Sequence, residues 1–265
     1  MQKTFTDQLG RTINVNYPPK RIVSLVPSQS ELLFDLGLNE EVIGITKFCI
    51  HPIEKFASRT KVGGTKKLKL EVIRSLKPDL IIGNKEENTR SEIELLMDEF
   101  PVWMSDINNL EDAMETINQI GSLVDRSPEA SYLNHLILAG FNDLQSLAVT
   151  KKINKSVAYL IWKDPYMSAG RNTFIDDILR KIGLSNVVTA SRYPEIDFLK
   201  LQQYDPELIF LSSEPYPFQE KHIKELQQAL PGAKVMLVDG EMFSWYGSRL
   251  VKAVQYLFHL QEGLR

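Results

Sequence analysis

Hydrophobic residues occur along this chain in short continuous runs, and amphipathic segments separate one run from the next. Leu80-Ile81-Ile82 and Leu208-Ile209-Phe210-Leu211 have the pattern of strands that are buried on both faces of a parallel sheet. Regular alternation of such runs with helical segments predicts an α/β fold. Strands are predicted at 21–26, 42–45, 80–82, 102–104, 156–161, 208–211 and 235–238, and helices at 70–76, 91–99, 174–182, 221–230 and 248–261.

Local signals predict how the first elements begin and end. Residues 4–15 read as a β-hairpin, because two short strand patterns flank a turn that contains Gly10. Ser28 and Glu31 have the spacing of a capping box, which predicts the start of a helix that Gly37 ends.

Residues 110–149 are predicted to be helical throughout. Ser127-Pro128-Glu129 is a strong helix start, with serine as N-cap, proline in the first turn and an acid beside the helix dipole. A helix from 128 to 149 would be about 33 Å long, which is enough to span a domain.

Two short sequence echoes relate the parts of the chain on either side of this helix. The segment 76–82 resembles 204–210, and 31–38 resembles 177–184, in the same order. We therefore predict an N-terminal α/β lobe at 1–108, connecting helices at 109–150 and a C-terminal α/β lobe at 151–265.

Composition narrows the classes of partner. The 265 residues are 43% hydrophobic, and 31 basic against 34 acidic side chains give a net charge of −3. This balance argues against nucleic acid or an anionic membrane as the main partner. No apolar run approaches the ~20 residues needed to cross a bilayer, so we expect a soluble protein without membrane insertion. We also expect it to be a monomer. The single cysteine, Cys49, excludes an intramolecular disulfide.

Taken together, several motifs of the first hundred residues resemble the helical-backbone substrate-binding proteins of vitamin B12 and iron-siderophore ABC transporters. These motifs are Pro19-Lys20-Arg21-Ile22-Val23-Ser24-Leu25, Pro27-Ser28 with Glu31-Leu32, Val62-Gly63-Gly64, Leu70-Glu71 and Leu76-Lys77-Pro78-Asp79-Leu80-Ile81-Ile82. The resemblance covers the whole chain in element order, and the cobalamin-binding branch is the most similar.

The resemblance implies both a fold and a function. It implies two Rossmann-like lobes with parallel sheets, joined by one long backbone helix. It also implies reversible binding of a corrinoid, haem-like or ferric-siderophore chelate in the cleft between the lobes, with no catalysis and no cofactor of the protein's own. The expected partner is a transporter permease, and the expected location is the periplasm or cell envelope if a leader was removed. The N-terminus has no apolar signal-peptide region, which predicts a cytoplasmic protein if Met1 is the native start.

Two positions depart from the pattern of the family. Its members carry a glutamate on each lobe for docking on the permease. Glu71 matches the first, although an acid in the first turn of a helix is also favourable through the helix dipole alone. Leu199 stands at the second position, and Thr65 stands where the cobalamin-binding branch has a tryptophan.

Candidate ligand-binding residues follow the predicted strands, since ligands of open α/β sheets lie at the carboxyl ends of strands. Amphipathic rings beside polar groups suit a large, flat, partly polar ligand, although loop aromatics can also simply cap a sheet. Arg171 and Arg192 are candidates for a ligand carboxylate or phosphate, or for ordinary salt bridges. The predicted ligand-binding set is Cys49, His51, Asn84, Lys85, Glu86, Trp162, Tyr166, Arg192, Tyr193, Glu214, Tyr216, Trp245 and Tyr246.

Other functions remain open at this point. Cys49 and His51 form a Cys-x-His pair that suits either metal ligation or a buried thiol beside a turn histidine. The chain has no nucleophile elbow, Walker loop or dinucleotide fingerprint. Glu86 with Glu214 would have to supply the acid and base of a small-molecule enzyme, with or without a metal, that uses the same cleft. A cytoplasmic corrinoid-handling protein and a protein-binding module are the further alternatives.

Overall fold

In the computed structural model, which describes residues 1–264, the chain divides into two units, and each is assembled from separate stretches of sequence. The first unit contains Met1–Ile107, Glu111–Leu136 and Tyr246–Arg249, and the second contains Asn108–Leu110, Ile137–Trp245 and the C-terminal stretch from Leu250. The two units therefore interleave along the chain.

The first unit is built on a parallel five-stranded sheet in the order β5-β4-β3-β6-β7, with a separate antiparallel hairpin of β1 and β2. Helix α6 continues into the second unit from residue 137. The elements are β1 (Gln2–Thr6), β2 (Thr12–Asn16), β3 (Ile22–Ser24), α1 (Pro27–Asp35), β4 (Val42–Ile45), α2 (Ile53–Ser58), β5 (Thr60–Lys61), α3 (Leu70–Leu76), β6 (Leu80–Asn84), α4 (Arg90–Met97), β7 (Val102–Ser105), α5 (Leu110–Leu123) and α6 (Ser127–Thr150).

The second unit has a sheet in the parallel order β10-β8-β11-β12, and β9 pairs antiparallel with β8. Its central pair, β8 and β11, is in register from Val157 opposite Leu208 to Leu160 opposite Leu211. The elements are β8 (Ser156–Trp162), β9 (Met167–Ala169), α7 (Phe174–Lys181), β10 (Ser185–Asn186), α8 (Phe198–Tyr204), β11 (Leu208–Ser212), α9 (Glu220–Ala229), β12 (Lys234–Val238), α10 (Glu241–Ser244) and α11 (Arg249–Gly263).

The predicted α/β class and its parallel sheets are confirmed. All five residues of β6 and all five of β11 are buried, which explains why both strands read as continuous apolar runs. Helices α3 and α4 cover β6 through Ile73 and Ile93. Burial of one such isoleucine side chain stabilises the fold by about 1.5–3 kcal/mol.

Three short strands, β5, β9 and β10, were not predicted from the sequence, and β9 is the one that shapes the candidate site. Residues Met167–Ala169 form β9, which turns back along β8, although the segment after Trp162 was predicted as a loop. The strand has only three residues, which is too short for an alternating pattern to be recognised. The turn before it contains Asp164 with a φ of 64°. This hairpin places Tyr166 beside β8.

The predicted capping box at the start of α1 is wrong. The N-cap is Val26, and no side chain caps the helix. The Glu31 carboxylate instead accepts a hydrogen bond of 2.8 Å from Nε of Arg249, in an ion pair whose side chains are 3% and 6% exposed. The buried charge of Arg249 therefore determines the role of Glu31, and Pro27 in the first turn starts the helix.

The sequence echoes correspond to repeated structure. Lys77 and Asp205 end α3 and α8 in the left-handed conformation, with φ of 46° and 42°. The acid that follows each proline then bonds to the residues at the start of the neighbouring strand. Asp79 accepts from the backbone N–H of Arg21 at 2.8 Å, and Glu207 accepts from that of Ser156 at 2.9 Å. These carboxylates fix the start of β3 and of β8 in their own sheets.

We predict that Glu31→Gln lowers the free energy of unfolding by about 3–5 kcal/mol, because it removes the negative charge from a buried ion pair with Arg249. Urea unfolding followed by circular dichroism measures this loss. The matched control is Glu94→Gln, which removes an exposed ion pair with Arg90 and should cost less than about 1 kcal/mol. Equal destabilisation by the two variants would contradict the prediction.

Candidate functional site

The loop after β4 in the first unit contains the predicted Cys-x-His pair. The Cys49 side chain is fully buried, and its Sγ lies 3.1 Å from both Ser30 Oγ and Thr46 Oγ1. Burial raises the pKa of this thiol, although hydrogen bonds from Ser30 and Thr46 oppose the rise. His51 is half-buried two residues further along. Within residues 1–264, no three His, Cys, Asp or Glu side chains are grouped as metal ligands.

The same loop exposes apolar side chains that the predicted set did not include. Phe48 is half-exposed, and its ring packs so closely on Gly64 that a Cβ there would lie 3.2 Å from Phe48 Cε2. The ammonium group of Lys47 lies 4.9 Å from the centre of that ring. Ile50 is also exposed. A bulky aromatic after a buried strand was the sequence signal for Phe48, whereas the metal-ligand chemistry of Cys49 and His51 favoured those two residues.

The loop after β6 is shaped by a buried amide. The Asn84 carbonyl oxygen accepts from the backbone N–H groups of Glu86 and Glu87, and its amide group donates to Ser105 Oγ at 2.9 Å. Lys85 forms an ion pair of 2.5 Å with Asp106. Lys66 donates to the backbone carbonyl of Glu86. Of the predicted residues here, Asn84 is buried within the protein, while Lys85 is exposed at the surface.

Glu87, which was not in the predicted set, lies in the same loop and has a carboxyl group with a raised pKa. Desolvation raises the pKa of its carboxyl, and the nearby charge of Lys66 opposes this effect. Its position directly after a buried strand makes it a further candidate at this edge of the sheet.

In the second unit, the structure brings three of the predicted aromatic residues into one cluster. Trp162, which is 40% exposed, meets Tyr216 edge-on at 5.7 Å between ring centres. Tyr216 contacts Phe218 at 4.8 Å, and Phe218 stacks parallel to Tyr166 at 6.4 Å. Tyr166 is buried, and its hydroxyl donates to Glu225 at 3.2 Å. Trp162 is therefore the most exposed ring of the cluster and lies on packed aromatics, of which Tyr216 is half-buried.

His222 supports this aromatic cluster from α9. Its Nδ1 accepts from the backbone N–H of Gln219 at 2.9 Å, so the proton of the neutral ring is on Nε2, 3.4 Å from the Tyr216 hydroxyl. Desolvation lowers the pKa of the imidazole, and the charges of Lys163 and Lys221 lower it further. His222 is thus a buried structural group that fixes the position of Tyr216.

Glu214 and Trp245 also lie together: Glu214 follows β11, and Trp245 ends the short helix α10 that comes after β12. The Glu214 Oε1 accepts from the Ser244 hydroxyl at 2.7 Å and from the indole N–H of Trp245 at 2.9 Å. Trp245 is buried. Glu214 therefore holds the segment after β12, and the sequence pattern could not distinguish this role from ligand contact. Tyr246 is buried in the first unit.

Arg192 and Tyr193 lie on a loop of the second unit. Arg192 has a left-handed φ of 66°, and its Nη1 donates to Asn108 Oδ1 at 2.8 Å and to the carbonyl of Asn172 at 2.9 Å. Its guanidinium is 5.7 Å from the ring centre of Tyr193. The pair thus forms a cation–π contact beside a group of asparagines.

The chain matches known transport proteins along most of its length. A Bacillus subtilis protein described as an uncharacterised ABC transporter substrate-binding lipoprotein is 27% identical over 190 residues, 69% of this chain and 60% of that protein. The vitamin B12-binding protein of Vibrio parahaemolyticus is 25% identical over 202 residues, 74% of this chain and 72% of that protein. The first match therefore spans less than two thirds of its relative. No helix within residues 1–264 is both long and apolar enough to cross a membrane.

The fold has close counterparts among solved structures. A periplasmic haem-binding protein from Roseiflexus in its apo form superposes with a TM-score of 0.80 at 19% identity, over 93% of this chain and 99% of that one. The sequence model of the periplasmic binding protein family matches residues 22–234, which is well over half of the chain. With the fold and the family match in agreement, the chain belongs to the periplasmic binding protein family.

Proposed function

We propose that this protein is a substrate-binding protein that reversibly binds a metal chelate and delivers it to an ABC-type transporter. Family membership supports binding and delivery. The names of its relatives support the ligand class, because they include a vitamin B12-binding protein and a haem-binding protein. The proposed ligand is a corrinoid, a haem-like macrocycle or a ferric siderophore, and it is cargo rather than a cofactor.

The exposed Trp162 ring on its aromatic base is the observation that carries this proposal. An indole that packing holds in place offers a large amphipathic surface at little cost in conformational entropy. Corrinoid and haem macrocycles present wide, mainly apolar faces with polar groups at the rim, which suit such a ring. The Trp162 ring also lies at the carboxyl end of β8, where ligands of parallel sheets bind.

The contacts of the described residues favour binding without turnover. Cys49 is buried and burial raises its pKa, so it is a poor nucleophile. The Glu214 carboxylate accepts two hydrogen bonds from neighbouring side chains, which favours a structural role over that of a general base. We further propose that the protein acts as a monomer in the cell envelope, in keeping with its family.

We predict that Trp162→Ala weakens binding of the cognate chelate at least tenfold, about 1.4 kcal/mol, because the exposed ring is lost while its base remains. Wild type and variant are titrated with cyanocobalamin, dicyanocobinamide, haemin and ferric siderophores, and absorbance and fluorescence are followed. Tyr132→Ala, which removes an exposed aromatic from α6, is the matched control and should leave affinity unchanged. Folded wild-type protein that binds none of these chelates would refute the proposed ligand class.

We also propose that Glu71 contacts the transporter. Its side chain is 86% exposed in α3, where Arg74 bridges it to Glu99 at 2.5 and 2.6 Å. Leu199, the second residue of α8 as Glu71 is of α3, is 69% exposed. On the second unit, an exposed leucine thus stands where the family has its second glutamate. We propose that the second unit docks on the transporter through an apolar contact at Leu199.

The docking proposal predicts that Glu71→Arg lowers stimulation of the cognate transporter's ATPase at least fivefold, because the charge that faces the partner is reversed. Purified transporter in proteoliposomes, titrated with chelate-loaded protein, provides the measurement. Glu94→Arg makes the same charge change on an exposed residue of α4 and should have little effect. Unaltered stimulation by Glu71→Arg, with chelate affinity intact, would exclude Glu71 from the docking surface.

A further inference from the structure

An open polar pocket lies within the second unit, at the start of α7. Its volume is about 390 Å³. Every lining side chain is polar, and none is aliphatic or aromatic, so the pocket suits a charged group rather than the face of a macrocycle. The lining residues are Asn108, Asn109, Arg171, Asn172, Thr173, Asp176 and Arg180.

The backbone around Arg171 is fixed by its neighbours. Gly170 lies so close to the next segment that a Cβ would be 2.0 Å from the Ala190 carbonyl oxygen. Gly170 donates its N–H to Arg192 at 2.8 Å, and Arg171 donates to Ala190 at 2.9 Å. Thr173 then caps α7 by accepting from the N–H of Asp176 at 3.2 Å. The pocket is therefore built on a rigid segment rather than on a loose loop.

The guanidinium groups of Arg171 and Arg180 both reach the buried Asp176, but at long distances. Arg171 lies 3.5 Å from one Asp176 oxygen, and Arg180 Nε lies 3.4 Å from the other. The other Arg171 contact, to the carbonyl of Asn186, is also 3.5 Å. Charge-assisted bonds are usually 2.7–2.9 Å. These side chains, 39% and 55% exposed, therefore retain donor capacity toward the pocket.

The charge balance around the pocket is positive. Asp177 accepts from Arg180 at 2.9 Å and from the backbone N–H of Leu110 at 2.9 Å, so its carboxylate is bound on both sides. Asp176 accepts a further bond from Asn186 at 2.9 Å. Among the lining residues themselves, the two guanidinium groups of Arg171 and Arg180 face the single carboxylate of Asp176. The N-terminal end of α7 adds a partial positive charge.

We propose that this pocket is an anion site that takes a carboxylate or phosphate group, with Arg171 and Arg180 as the charged donors. Planar guanidinium groups bind both kinds of anion through paired hydrogen bonds. The anion is either an acidic arm of the bound chelate or a free small anion, and both would be held by the same contacts. This site goes beyond the proposed function, since it stands on the pocket alone.

Inorganic phosphate and citrate are the probes that test the site. Binding is measured by isothermal titration calorimetry and by the rise in Tm over sodium chloride of equal ionic strength, since a ligand of the native state stabilises it. We expect wild-type protein to bind one or both anions and Arg171→Gln to bind at least fivefold more weakly. Arg171→Lys should restore part of the loss, because it keeps the charge without the fork.

The variants are chosen so that folding does not obscure the result. Arg171 has only long side-chain contacts, so Arg171→Gln leaves the bond between Arg180 and Asp177 in place, and circular dichroism checks that it folds. Lys200→Gln removes one exposed positive charge from the same unit and should bind both anions as wild type does. No anion binding by wild type, or equal binding by Arg171→Gln, would overturn the inference.

Binding measurements with the chelates then show which of the two sources supplies the anion. If Arg171→Gln also weakens an acidic chelate such as haemin or ferric citrate, and phosphate competes with that chelate, the site holds an arm of the cargo. If chelate affinity is unchanged while phosphate binding is lost, the site holds a free anion. Failure of every chelate to bind would count against the proposed function and would leave the phosphate result as the test of this site.

Discussion

One inner strand of each sheet, β6 in the first and β11 in the second, is buried along its whole length, and this constraint determines where the protein can carry chemistry. Because β6 and β11 have no face open to water, a polar or aromatic side chain that must reach a ligand has to lie at or beyond the end of a strand. The exposed Phe48 and Lys85 follow their strands, and the exposed Trp162 is the last residue of β8. The scaffold and the candidate site thus depend on one physical condition, the exclusion of water from the sheets.

Much of the fold could be predicted because it rests on that condition. Apolar runs such as Leu80-Ile81-Ile82 locate their strands, and Gly37 ends a helix with a φ of 86° as its position suggested. The failures involve interactions between residues distant in sequence. Glu31 has capping-box spacing, but its partner is Arg249, 218 residues away. The sequence around Glu31 therefore gives no indication that Arg249 is its partner.

The candidate site was less predictable for the same reason. Sequence position identified the loops, but not whether a side chain points to solvent or back into the protein. Cys49 and Asn84 are buried and bonded to neighbours, and Glu214 holds Trp245, whereas the ring of Trp162 is exposed. Glu214 follows β11 in sequence, and Trp162 is the last residue of β8. Their different roles depend on hydrogen-bond partners that only the folded chain brings together.

Asp79 and Glu207 occupy equivalent positions in the two sheets, and this has a consequence for how such a protein can diversify. Each fixes the N-terminal end of a strand. The candidate ligand residues lie at the other edge of the sheet, where the strands have their carboxyl ends. Strand alignment is therefore insulated from changes in the residues that meet the cargo. Mutation can change ligand specificity in either unit without disturbing strand alignment, so the two units can differ in chemistry while each keeps its sheet.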